Sequence, residues 1–168
     1  ISMDKELVND LALSINDVKV KIKHCSICGN LAENELCTIC SDDLRDNSII
    51  CIVANTTDTI AMEKTENYNG LYHVLNGLIS PSKGILPDDL NIASLKNRLS
   101  DISLKEIVIA TNLTVEGDTT ALYLSKYIQE VNDKIIVSRI AHGLPVGGHL
   151  DYADDLTIIK SMEGRFKI

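Results

Sequence analysis

The chain has 168 residues, enough for one good core and a small satellite module, and its 45% apolar and 24% charged content is that of an ordinary globular protein. A formal net charge of −8 counts against a protein that holds nucleic acid simply by spreading lysine and arginine over phosphates, and leaves room for local basic patches. No apolar run approaches the roughly 20 residues needed to span a bilayer, and no basic stretch followed by an apolar run marks a secretory signal.

From Met3 to Lys23, apolar residues fall at Leu7, Leu11, Ile15, Val18 and Ile22. Steps of three and four place them on one face of a helix, expected to pack on a neighbouring element. Asp4, Lys5, Asp10, Asp17 and Lys19 lie on the opposite face. The basic end, Lys19, Lys21 and Lys23, reads either as a solvated charge run or as a set of DNA-contact candidates.

Two tight cysteine pairs follow, Cys25-Ser26-Ile27-Cys28 and Cys37-Thr38-Ile39-Cys40, with eight residues between them. That spacing lets a short hairpin gather four sulfurs into a tetrahedron, the closed geometry of structural Zn²⁺. Gly29 suits the turn after the first pair. The competing reading is a thiol redox protein, but that chemistry normally uses one such pair beside a βαβ unit. Thiols in metal-like spacing argue for a reducing compartment, and a cytoplasmic location is expected.

After Asn47 the pattern changes. Ile49-Ile50-Cys51-Ile52-Val53 is continuous and apolar, as in a strand covered on both faces, with Cys51 a small core residue. Asp58 is positioned to cap a helix through Ile60, Ala61 and Met62. Residues 71–74 read as a second strand, 75–90 as a loop and 92–99 as a helix. Residues 107–110 read as a third strand, 119–129 as a helix and 135–137 as a fourth strand. Strands alternating with helices predict an α/β fold with a mainly parallel sheet.

In such a sheet, ligands gather at the carboxyl ends of the strands. Two loops fall there, Ala54 to Asp58 and Thr111 to Asp118. Glu116 and Asp118 flank Gly117 and can either share one Mg²⁺ or simply favour the positive start of the next helix. The segment from Arg139 to His149 is too rich in glycine for regular structure and matches no phosphate-loop pattern. His142 and His149 within it are candidates for a metal or a base, or plain hydrogen-bonding residues.

Taken together, these stretches resemble the bacterial recombination mediator family RecR. The resemblance rests on His24 to Leu31 with the second cysteine pair, Ala61 to Thr65, Gly70 to Leu75, Ile79-Ser80-Pro81, Ala110-Thr111-Asn112 and Val115 to Asp118. Its most specific part is Arg139-Ile140-Ala141-His142-Gly143-Leu144-Pro145-Val146-Gly147-Gly148. It implies an amino-terminal helix over 1–24, a four-cysteine zinc finger over 25–47, a Toprim domain over 48–143, and a glycine-rich assembly region over 144–168. Cys25, Cys28, Cys37 and Cys40 would bind Zn²⁺.

The resemblance further implies a DNA repair and recombination protein that works with RecO and RecF to load RecA onto single-stranded DNA coated by the single-strand binding protein. It implies a homodimer or homotetramer. Two departures shape the expectation. The Pro-Gly-Ile-Gly type turn of a helix-hairpin-helix is not found in this sequence, so direct DNA binding is expected to be weak. Toprim enzymes carry a catalytic glutamate after the first strand, and the matching residue here is Ala54. A non-catalytic scaffold is therefore expected, in which Glu116, Asp118 and Asp58 dock a basic partner such as RecO. Mg²⁺ binding by the same acids is not required in this reading. The alternative is a Mg²⁺-dependent Toprim-type nuclease or topoisomerase-like enzyme using them.

Overall fold

The structure, a computed structural model, describes residues 2–167; Ile1 and Ile168 lie outside the described residues. Helix α1 runs Lys5–Lys21, with the Asp4 carboxylate accepting the Glu6 N–H at 2.8 Å to cap it. The expectation that its apolar stripe packs on a neighbour needs correction. No residue of α1 is buried, and Leu7, Leu11, Ile15 and Val18 keep 54–61% of their surface. The stripe is real, but among the described residues no element covers it.

Strands β1 (Lys23–His24) and β2 (Leu31–Ala32) pair antiparallel and close a finger around the first cysteine pair. Strand β3 (Asp46–Val53) then opens an α/β unit. Helix α2 (Thr56–Glu63) starts earlier than the sequence suggests. Asn55 stands at its N-cap, and Asp58 acts from the third helical position, where its carboxylate accepts the Asn55 N–H at 2.8 Å. After α2 come β4 (Gly70–Val74), two short 3₁₀ turns over 81–83 and 87–89, and α3 (Ala93–Arg98). Strand β5 (Glu106–Ala110), helix α4 (Val115–Val131), strand β6 (Ile136–Arg139) and helix α5 (Asp155–Glu163) complete the order.

The four long strands form one parallel sheet in the order β4-β3-β5-β6. Side chains alternate across it, so the unbroken apolar run of β3 is used on both faces. Ile50 and Ile52 join Leu95, Leu99, Ile107, Ile109, Leu124 and Ile128 in an aliphatic core under α3 and α4. Cys51 and Val53 point the other way, into a layer with Cys25, Cys28, Cys37, Tyr72 and Val74. The finger thus closes part of the second face, with Met62 of α2 packed against the same layer. Among the described residues, no helix is long and apolar enough to cross a membrane.

Candidate metal centre

The finger is built so that backbone amides turn toward sulfur. The Cys25 N–H donates to the Asn30 carbonyl at 2.7 Å and the Gly29 N–H to the Cys25 carbonyl at 3.0 Å, which folds the first pair into a tight turn. Gly29 takes φ +77°, and its backbone lies so close to β4 that an added Cβ would sit 2.8 Å from the Val74 carbonyl oxygen. The Asn30 N–H then reaches Cys28 Sγ at 3.5 Å, and the Cys40 N–H reaches Cys37 Sγ at 3.4 Å.

The four Sγ atoms of Cys25, Cys28, Cys37 and Cys40 lie within 4.8 Å of one another, with Cys28 and Cys37 3.6 Å apart. A tetrahedron with arms of about 2.3 Å has edges of about 3.8 Å, so the donor set fits Zn²⁺ in size and in chemistry. Cys25, Cys28 and Cys37 are buried and Cys40 is half-buried. Crowding sets the thiols against one another. Its contact with Cys37 pushes the Cys28 thiol up to about 12, and its contacts with Cys28 and Cys37 push Cys40 up as well. The same contact with Cys28 holds Cys37 low. A dication removes that conflict by making all four sulfurs thiolate ligands.

The finger is tied to the free edge of the sheet. β4 is an edge strand, and its outward groups need partners. The Val74 N–H donates to the Cys28 carbonyl at 2.7 Å. The Val74 carbonyl accepts from Asn91 Nδ2 at 2.9 Å, and the Tyr72 carbonyl accepts from Arg98 Nη1 at 2.5 Å. Beneath, Arg45 and the Tyr72 hydroxyl both bond Glu63, the latter at 2.8 Å, which locks α2 to β4.

The acids at the strand ends are not gathered into one site. Glu116 and Asp118 lie in the first turn of α4, not in the loop before it, because Thr114 caps the helix through the Gly117 N–H at 3.2 Å. An expected start at residue 119 is thereby corrected by four residues. Gly117 is needed for packing, since an added Cβ would run into the Asn112 carbonyl. Asp118 pairs with Arg139 Nη2 at 2.6 Å, and Asp58 is held by the Asn55 N–H. Among the described residues, the four cysteines are the only set of three or more His, Cys, Asp or Glu side chains disposed to share one ion. Lys19, Lys21 and Lys23 are exposed at the end of α1 and just beyond it, with Lys21 bonded to Asp17. His142 is half-buried and His149 exposed.

Three family models match successive parts of the chain. The model of the RecR four-cysteine zinc finger domain matches residues 22–42, the Toprim domain model matches 48–141, and the RecR C-terminal model matches 143–165. The Toprim match alone covers more than half of the 168 residues. The chain belongs to the RecR family. Its finger is the RecR zinc finger, and the four-cysteine cluster inside that match suits it to bind Zn²⁺. Its sheet is a Toprim sheet, and as a RecR protein it has its place in recombination and DNA repair.

Two further residues adjoin the β4 edge to which the finger is tied, neither given a role from the sequence. They are Arg98 and His73, with His73 fully buried and its Nε2 2.6 Å from the Asn91 carbonyl. Burial holds the His73 ring neutral by pulling its pKa down to about 4. Neither has a motif of its own, because each is engaged by backbone carbonyls far along the chain.

Proposed function

We propose that the chain is a recombination mediator with no catalytic activity of its own, acting with RecO and RecF to load RecA onto single-stranded DNA coated by the single-strand binding protein. The observation that carries this reading is Ala54. It is fully buried at the carboxyl end of β3, where the Toprim enzymes place a glutamate. Without that carboxylate, proton transfer to a phosphodiester oxygen has no group to perform it there. The Asp118 carboxylate is engaged by Arg139 and that of Asp58 by the start of α2.

In this reading the strand edge is a docking surface. Glu116, Asp118 and Asp58 offer negative charge to a basic partner such as RecO, and the net charge of −8 speeds the encounter. The exposed stripe of α1 is covered by a second copy in a homodimer or homotetramer. Lys19, Lys21 and Lys23 touch phosphate weakly, and contact of this kind is lost steeply with salt. The thiol-rich finger suits the reducing cytoplasm.

The test is a pull-down with purified RecO. Changing Glu116 and Asp118 to Ala should weaken capture at least tenfold, and undiminished capture would remove the docking role. Incubation with plasmid DNA and Mg²⁺ should leave the DNA intact. Cleavage that disappears with Glu116→Ala would replace the mediator reading with an enzymatic one.

A further inference from the structure

Arg98, at the end of α3, belongs neither to the zinc ligands nor to the acidic strand edge, yet it is held like a functional side chain. Its Nη1 donates to the Tyr72 carbonyl at 2.5 Å and lies 3.5 Å from His73 Nδ1. The Nε2 of that ring faces the Asn91 carbonyl, so Nε2 carries the proton and Nδ1 turns its lone pair to Arg98. Nη2 is buried and has no hydrogen-bond partner. Among the described residues, no carboxylate forms an ion pair with Arg98. A guanidinium cannot shed its charge, and one removed from water calls for an opposite charge nearby.

The finger lies across the cleft. Arg98 lines a cavity of about 430 Å³ together with Cys40, Ser26 and Ile27 of the finger. Asp101 shares the cavity but is exposed. Burial draws the Arg98 guanidinium below its ordinary value, and the sulfurs of Cys40, Cys28 and Cys25, in that order, push it back up. Four thiolates on one Zn²⁺ leave two negative charges in excess. Outer groups that meet such charge orient the ligands and tune the affinity of the site.

We infer that Arg98 is the counter-charge of the zinc–thiolate centre, a positioning residue that couples metal binding in the finger to the β4 edge of the sheet. Nη1 of the guanidinium is engaged by the Tyr72 carbonyl, and Nη2 is buried without a partner. Loss of the metal removes the fixed, converging negative charge that makes the buried position of Arg98 tolerable. Loss of Arg98 leaves that charge uncompensated.

The test uses the full chain loaded with zinc. In competition with a chromophoric chelator, Arg98→Met should weaken zinc binding by about ten- to a hundredfold, as removal of an outer partner does elsewhere. Arg98→Lys keeps the charge and should stay within about threefold of wild type by the same measure. Cobalt-loaded Arg98→Met should also show a shifted sulfur-to-metal charge-transfer band. Unfolding with and without chelator closes the cycle, and Arg98→Met should cost more in the metal-bound protein than in the stripped one. Equal cost in both states means a packing role only and overturns the inference. So does wild-type zinc affinity in Arg98→Met. If that variant does not fold, Arg98→Lys decides, since a hundredfold loss of zinc affinity with the charge retained also overturns it.

Discussion

The two faces of the one sheet are closed by different chemistry. Under α3 and α4 the layer is aliphatic, with Leu95, Leu99, Ile107, Leu124 and Ile128 all at most 1% exposed. On the other face the layer mixes cysteines with Tyr72, Val53, Val74 and Ile39, and the finger closes it together with Met62 of α2. A single strand, β3, feeds both, with Ile50 and Ile52 to one side and Cys51 and Val53 to the other. The difference teaches what each face needs. The first is stabilised by apolar burial alone. A lid as short as Cys25 to Cys40 cannot bury enough, so its folding free energy must come from the metal.

The largest way to break that contrast is to remove the zinc. Chelation, or Cys37→Ser, should unfold the finger, with a loss on the order of 10 kcal/mol of metal-coupled folding energy. Hydrogen exchange at Leu124 and Ile128 in α4 should stay slow. Loss of both faces in one cooperative step would show that they are not separate.

A smaller effect comes from His73, fully buried in β4. Its folded pKa, held at about 4, lies below the ordinary value of 6.5 because burial disfavours the charged ring. The unfolded chain therefore takes up the proton first. The stability due to the neutral ring is complete above pH 6.5 and is lost as pH falls from 6.5 toward 4, by about 3 kcal/mol in all. Denaturant unfolding between pH 7 and 4 should show that slope, and His73→Gln should flatten it. An unchanged slope would place the titration elsewhere.

Gly29 sharpens the contrast at the seam. It is in the left-handed region at φ +77°, and an added methyl would press on the Val74 carbonyl and on Asn91. Gly29→Ala should cost about 1–2 kcal/mol from backbone strain alone and loosen the finger from β4. The measurement is exchange at the Val74 amide, which should quicken while α4 is unaffected.

How far the chain could be read in advance follows the same divide. β3 was legible because a strand covered on both faces loses its alternation and becomes a continuous apolar run. The four cysteines were legible because metal ligation needs fixed spacing. The start of α4 was not. Glu116, Gly117 and Asp118 look like loop residues, but acids are favoured by the positive end of a helix and the glycine is demanded by the nearby Asn112 backbone. Arg98 carried no signal either, and His73 none beyond its place in the Gly70 to Leu75 stretch, since their partners are carbonyls of Tyr72 and Asn91, which any residue type would supply. In these cases the missing information was tertiary contact.

The smallest effect concerns α1, which sets a limit on what periodicity can say. α1 and α4 are both 17 residues long, and both carry an apolar stripe. α4 buries Ala121, Leu124 and Ile128 against the sheet, whereas α1 buries nothing. A stripe therefore announces that something is to be covered and leaves open what covers it. Changing Leu11 and Ile15 to Ser should alter the stability of the single chain by no more than about 0.5 kcal/mol each, as at other exposed positions. If a second copy covers the stripe, the same changes should shift the assembly toward monomer in sedimentation, and the apparent stability of the wild type should rise with protein concentration. A large, concentration-independent loss would mean instead that α1 packs within its own chain, and the contrast between the two helices would be gone.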